Sequence, residues 1–227
     1  MRQVFNSAPW IPPSEIADIK QLFYTYGTVK KVTKNSVIKS GGQHNRLFLL
    51  EKGLCMYLVN YSIGKTRVLA LIPPGRSLCN ISCISGERVN VTTLAKRNTD
   101  LISMSPAILL EQIAKRQDLA VRYMKFIIAT QESLLEGMIA NFTLSHEDRL
   151  KVFFKSLLHS FALENKIGMV EIPIPLFNEE LGMIINATRV TVSRIKKKWN
   201  HQGLYQKKDR KAYINTSLLA DVYDWHR

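Results

Sequence analysis

The chain has 227 residues, 32 Lys and Arg against 18 Asp and Glu for a net charge of +14, and 46% hydrophobic residues, enough to bury a core in each of two domains. No run approaches the ~18 uninterrupted apolar residues of a membrane span and no apolar leader follows Arg2, so a cytoplasmic protein is expected. The three cysteines, Cys55, Cys79 and Cys83, are too few and odd in number for a secreted disulfide framework.

In chain order, residues 14–26 are expected to form an opening helix. From Val29 to about Met104 the texture changes to short β-type runs broken by Gly, Pro, Asn and Ser. Strands are predicted over Ser36–Lys39, Arg46–Leu50, Leu54–Asn60, Arg67–Ile72, Val89–Ala95 and Asp100–Met104, with turns at Gly41-Gly42, Lys52-Gly53 and Ile63-Gly64. Many short, closely spaced strands imply a sandwich or barrel, a form that commonly leaves a pocket.

Helical periodicity returns at Pro106. A short helix is expected to Arg116, followed by a long one over Leu119–Ile139. Its apolar residues Tyr123, Phe126, Ile127, Thr130, Leu134, Gly137 and Met138 lie on or near one stripe. Such a helix needs a surface for that stripe: the same helix of a second subunit, or the chain's own barrel. Ser145 then caps a helix over Glu147–Ser160, whose Leu150, Phe153, Phe154, Leu157 and Leu158 supply a core.

The C-terminal segment carries the chemistry. Asn178 can cap a short helix with Leu181, Ile184 and Ile185 on one stripe. Asn186-Ala187 turns the chain, and Thr188 caps a second helix from Arg189 to about His201. In that helix Val192, Ile195 and Trp199 form a packing face, while Val190, Ser193, Arg194 and Lys197 share another. Gly203 stops it, and Leu204–Gln206 and Ala212–Ile214 read as strands of a basic hairpin.

Between Arg189 and Lys211 nine Lys and Arg stand against one acid, Asp209. Cations at this density neutralise phosphates and release counterions, a binding contribution that depends on salt rather than sequence. Charge alone fits any polyanion or a solvated face. Joined to the helical pair, it points to a helix lying in the major groove of double-stranded DNA. The expected DNA contacts are Thr188, Arg189, Val190, Thr191, Ser193, Arg194 and Lys197 on the helix and Lys207 and Lys208 on the hairpin. Arg194 can donate two bonds to guanine, Ser193 can bond bases or a phosphate, and Val190 offers a methyl surface to thymine. An amphipathic hairpin with no DNA role is the plain alternative. Catalysis is not expected: the five His are scattered at 44, 146, 159, 201 and 226, with no nucleophile-and-base pair, phosphate-binding loop or metal cluster.

Lys34-Asn-Ser-Val-Ile-Lys-Ser-Gly-Gly, Leu47-Phe-Leu-Leu-Glu-Lys-Gly, Leu69-Ala-Leu-Ile-Pro-Pro-Gly75 and, above all, Glu180-Leu-Gly-Met-Ile-Ile-Asn-Ala-Thr-Arg-Val-Thr-Val-Ser-Arg194 resemble the CRP/FNR superfamily of bacterial transcription regulators from about Val29 to Ile214. The resemblance implies an α+β chain. It would comprise an antiparallel β-roll of the cyclic-nucleotide-binding jelly-roll type (1–116, effector-sensing), a long dimerisation helix (117–142) and a winged helix-turn-helix (143–227). It also implies a homodimer on a palindromic site, RNA polymerase as a candidate partner, no resident cofactor, and a small-molecule effector. The effector would sit near Gly75, Leu78, Asn80, Val91, Thr92, Tyr123, Ile127 and Leu134.

The departures narrow this. Where cyclic-nucleotide-binding members carry Gly-Glu and Arg-Ser, this chain has Cys79-Asn80 and Asn90-Val91, and Leu134-Leu135 replaces the hydroxyls expected to face adenine. Cyclic AMP is therefore not the expected effector. The N-terminal cysteine cluster of the iron–sulfur members is also absent. Val190 replaces a glutamate that accepts from cytosine, which shifts that position toward A·T pairs. Val-Thr-Val-Ser-Arg is similar to regulators of reductive dehalogenation genes, which recognise halogenated phenolic compounds. Two alternatives stay open: a thiol sensor built on Cys55, Cys79 and Cys83, and a DNA-binding protein with no effector.

Overall fold

The computed structural model describes residues 3–43, 45–62 and 65–222; the predicted turn at Ile63-Gly64, His44 and His226 lie outside them. The chain packs as two compact units, one of residues 12–131 and one of residues 1–11 with 132–227.

The first unit holds α1 (Ala17–Tyr26) and the strands β1 (Thr28–Val32), β2 (Val37–Gly42), β3 (Leu47–Lys52), β4 (Cys55–Ser62), β5 (Lys65–Ile72), β6 (Ser77–Leu78), β7 (Val89–Ala95) and β8 (Thr99–Met104), with α2 (Asn80–Ser85) between β6 and β7. They form two four-stranded sheets, ordered β1-β8-β3-β6 and β2-β7-β4-β5, with antiparallel pairings throughout. Strand β3 opens with the continuous apolar run Leu47-Phe48-Leu49-Leu50, buried at all four positions, as a strand covered on both faces requires. The six predicted strands are present. Strands β1 and β6 and helix α2 were not expected: β6 has two residues, β1 is almost wholly exposed, and α2 begins at Cys79 in the left-handed region (φ 68°). None of these leaves a periodic trace.

Helices α3 (Pro106–Lys115) and α4 (Gln117–Thr143) follow, and the unit boundary falls inside α4. The single stripe predicted for α4 needs correction, because the helix has two apolar faces. Leu119, Tyr123, Phe126, Ser133, Glu136, Gly137 and Ala140 are buried within the chain. Val121, Met124, Ile128, Leu135, Met138 and Phe142 stay exposed and, with Gln131, repeat in alternating steps of three and four. Such a heptad seam suits a partner helix. Overlap of the two faces on a short apolar alphabet concealed the split.

The second unit contains α5 (His146–His159), β9 (Met169–Glu171), α6 (Asn178–Ile184), α7 (Arg189–His201), β10 (Tyr205–Lys208), β11 (Lys211–Asn215) and a 3₁₀ turn, Thr216–Leu219. Leu150, Phe153, Leu157, Leu181, Ile184, Val192, Trp199 and Ile214 form its core, each at most 1% exposed. Strand β11 is the centre of a β10-β11-β9 sheet. Trp10, 1% exposed, packs its ring 6.2 Å from that of Phe153, so residues far upstream complete this core.

Candidate nucleic-acid interface

The helical pair is built by local chemistry and locked from outside. Helix α6 starts one residue earlier than expected: Phe177 occupies the N-cap position, so Asn178 is not the cap. The backbone N–H of Phe177 instead donates to the Glu180 carboxylate at 2.9 Å. The turn comes at Asn186, whose φ of 53° is a conformation asparagine tolerates. Gly182 allows the close approach behind it, since a Cβ there would lie 2.6 Å from the Ala187 carbonyl oxygen. The last carbonyls of α6 are taken by Asn141 Nδ2, 3.2 Å from Ile184 O, and Arg149 Nη1, 3.2 Å from Ile185 O.

Thr188 caps α7 as expected, its Oγ1 accepting from Thr191 N–H at 3.0 Å. The two threonine hydroxyls also bond each other at 2.9 Å, so Thr191 serves the cap. Val192 and Trp199 anchor the inner face at 0% exposure. Val190, Arg194 and Lys197 are exposed together, one helical turn apart, with Ser193 half-buried beside them. Trp199 Nε1 donates to Glu147 at 2.8 Å, and the Lys198 ammonium meets the same carboxylate at 2.9 Å. Burial opposes ionisation of Glu147, but the Lys198 and Trp199 hydrogen bonds outweigh it and hold its carboxyl below the usual range.

The nine cations divide into two groups. Lys198 is bound to Glu147 and Lys211 to Glu171 at 2.9 Å. The Lys196 ammonium donates to Asn178 Oδ1 at 3.0 Å and lies 4.7 Å from the centre of the Tyr205 ring. Burial, with a smaller push from Lys207, brings its pKa down to about 8. These three tie α5, α6, α7 and the sheet together. Arg189, Arg194, Lys197, Lys207, Lys208 and Arg210 make no ion pair among the described residues. Asp209 and Arg210, with φ of 49° and 66°, form the tight turn that projects Lys207 and Lys208 from β10.

In the other unit, the expected effector residues separate. Leu78 is fully buried, and Gly75 makes its turn at φ +80°. Asn80 Nδ2 donates to Ser77 Oγ at 2.6 Å, and Ser77 Oγ donates to the Glu15 carboxylate. Burial pushes Glu15 up to about 7, although Ser77, the Ile16 amide, Lys20 and Asn80 act against it. Tyr123 reaches the same neighbourhood, its pKa raised by burial and by the nearby Glu15, Cys83 and Tyr57. Asn80 Oδ1 and Tyr123 OH are buried without hydrogen-bond partners. Ile127 is half-buried. Thr92 points outward, its hydroxyl 3.3 Å from that of Ser40. Thr93, one position along and on the same face as Val91, is the buried one, an outcome fixed by strand alternation. Leu134 falls in the C-terminal unit. Glu15, Ser77 and Tyr57 were not foreseen, and no short motif marks them.

All three cysteines are buried free thiols. Burial pushes Cys55 and Cys79 up to about 12 and raises Cys83. The Tyr57 hydroxyl accepts from the Cys79 backbone N–H at 3.2 Å. Among the described residues no cluster of His, Cys, Asp or Glu is arranged to hold a metal ion, and no helix is long and apolar enough to cross a membrane.

Residues 154–218 match the family model of the Crp-like helix-turn-helix domain. No curated protein matches the chain in sequence. Among solved structures, FixK2 from Bradyrhizobium japonicum superposes with a TM-score of 0.76 at 16% identity, covering 87% of this chain and 98% of its own. CprK complexed with OCPA gives 0.64 at 18%, covering 93% and 97%. TTHA1359, a CRP/FNR family transcriptional regulator from Thermus thermophilus, gives 0.59 at 15%, covering 87% and 100%. The chain thus carries a Crp-like helix-turn-helix domain on the fold of the CRP/FNR regulators.

Proposed function

We propose that this chain, with its Crp-like helix-turn-helix on a CRP/FNR fold, is a cytoplasmic sequence-specific DNA-binding transcription regulator. It acts as a homodimer through the α4 seam and is gated by a small molecule in the β-roll. The observation that carries this reading is the division of α7: Val192 and Trp199 hold it from inside while Val190, Arg194 and Lys197 face out with Ser193 half-buried beside them. Arg194 and Ser193 read bases, Val190 favours A·T at its position, and Lys197, Lys207 and Lys208 grip phosphates. Two such helices on a dimer require half-sites about one DNA turn apart. RNA polymerase is the further partner this output calls for.

The effector is assigned to the neighbourhood of Asn80 and Tyr123, supported by their unpartnered buried polar atoms. Cyclic AMP does not fit this reading. The buried guanidinium of Arg76 donates to the carbonyls of Pro12 and Pro74, both at 2.8 Å, and Asn90-Val91 bring no arginine to hold a phosphate. The effector gates DNA affinity only by binding one state of the dimer better than the other. The raised pKa values of all three thiols favour this over a thiol sensor, because the reactive species is the thiolate.

Selection of bound duplexes from a random pool tests the reading. The expected product is a palindrome leaning to A·T at the Val190 position, and Val190→Glu shifts that position toward C·G. Binding with a salt slope but no enriched sequence would overturn it.

A further inference from the structure

Strand β2 carries an irregularity that decides where Lys39 stands. Val37 pairs with Leu94, but Lys39 pairs with Thr93 and Ser40 with Thr92, so Ile38 is one residue in excess, a β-bulge in β2. Had the ladder run on regularly, Lys39 would oppose Thr92, whose hydroxyl lies outward beside that of Ser40. The bulge shifts Lys39 by one position and so to the other face of the sheet. There it opposes Thr93, which is 2% exposed, and is itself half-buried. Thr93 pairs in turn with Tyr57, so Lys39, Thr93 and Tyr57 form one rung across β2, β7 and β4.

That rung meets α2. The Tyr57 hydroxyl accepts from the Cys79 N–H at 3.2 Å, and the Thr93 side chain is hydrogen-bonded to the Cys79 thiol. Lys39 acts on the same helix through its charge: burial raises the Cys79 and Cys83 thiols, and the Lys39 ammonium opposes that rise in both. Cys83 is also a neighbour of Tyr123, whose hydroxyl is buried without a partner. Yet Lys39 itself makes no hydrogen bond or ion pair among the described residues. The buried carboxylate of this unit, Glu15, takes its bonds from the Ile16 N–H at 3.0 Å and from Ser77, and the cation acting on it is Lys20. A cation turned by a bulge toward a buried face, with no counter-charge supplied there, is completed by an anion from solution.

We propose that Lys39 is the anion anchor of the effector site and that the β-roll takes a small organic monoanion, a carboxylate, held by the Lys39 ammonium beside the Thr93 and Tyr57 hydroxyls. A lysine offers a compact point charge with rotatable donors, which suits a carboxylate oxygen. A single cation balances a single negative charge, so a dianionic phosphate would keep one charge uncompensated at a half-buried site. The anchor rests on the reading of the β-roll as the sensing unit.

Amide spectra of the full-length, isotope-labelled protein test it without DNA, using two acid and amide pairs of matched shape at matched ionic strength: acetate with acetamide, and benzoate with benzamide. Both acids should shift the Cys79, Cys83 and Thr93 amide signals saturably, with dissociation constants on the order of 10 mM or tighter for fragments of this size. The uncharged amides should bind at least about tenfold more weakly, because they make no charge-assisted hydrogen bond. Lys39→Met should abolish the preference for the acids, whereas Lys34→Met, at an exposed turn, should keep it. A lysine whose ammonium merely reaches water would give no such preference. Amides that match their acids, a Lys39→Met protein that still prefers the acids, or no saturable shift with either acid overturns the anchor. The comparison of acids with amides needs only the unaltered protein, so it decides the matter even if Lys39→Met does not fold. Acid binding at Lys39 that leaves affinity for the selected palindrome unchanged would overturn effector gating and uphold the anchor, so the two failures are distinguishable.

Discussion

The α4 seam gives the sharpest quantitative prediction. Val121, Met124, Ile128, Leu135, Met138 and Phe142 are 45, 61, 53, 44, 43 and 83% exposed, the equivalent of roughly three whole side chains per protomer. At about 1.5–3 kcal/mol for complete burial of one such side chain, pairing two helices yields on the order of 10 kcal/mol before association costs. Ile128, about half exposed, supplies roughly 1 kcal/mol from each protomer. In a parallel two-stranded seam it also faces its own copy. Ile128→Glu therefore removes both contributions and sets two carboxylates against each other, a loss on the order of 4 kcal/mol and about a thousandfold in the dimer dissociation constant. Sedimentation equilibrium measures this directly, with circular dichroism to establish that the variant is folded. Affinity for the selected palindrome should fall in parallel, while affinity for a single half-site should not. A folded Ile128→Glu protein that sediments as the wild type does would refute the seam.

Three further outcomes are expected. Arg194→Ala should lose about 1–3 kcal/mol of discrimination at one base-pair position, whereas Lys207→Ala should weaken all duplexes alike and reduce the salt slope by about one; equal loss on specific and random DNA for both variants would remove the base-reading role of Arg194. Glu147→Ala leaves the Trp199 Nε1–H without its 2.8 Å acceptor and should cost about 2 kcal/mol of thermal stability. The exposed Lys198 partner adds little, so Lys198→Ala should change the midpoint much less. Glu15, raised from 4.5 to about 7, binds more protons folded than unfolded between these values, so its contribution is intact below about pH 4.5 and is lost as pH rises through 7. Glu15→Gln should therefore be more stable than the wild type at pH 8 by about 2–3 kcal/mol and nearly equal to it at pH 4; parallel denaturation profiles from pH 4 to 8 would contradict this.

Helix α7 was legible because its determinants are local. The Thr188 cap, the left-handed Asn186 and the spacing of Val192 and Trp199 against Val190 and Arg194 all lie within fourteen residues of sequence, and each follows from backbone preference or helical period. Six of the eight strands of the first unit were legible for the same reason, through alternation and turn residues, whereas the exposed β1 and the two-residue β6 were not. Alternation could not choose between Thr92 and Thr93, because shifting register by one residue exchanges the faces.

Sequence alone thus determined the long helices, six of the strands of the first unit, the Ser145 and Thr188 caps and the concentration of charge. Tertiary structure decided how they are used. It separated the nine C-terminal cations into three that bind the protein's own Glu147, Asn178 and Glu171 and six that form no ion pair among the described residues. It also split α4 into an inward face and an open seam, and it brought Val4 to Glu136 across 132 positions. The physical reason is range. Backbone preference and periodicity act over one or two turns of chain, whereas the partner of a charge, or the surface that covers an apolar face, depends on which distant residues folding brings alongside.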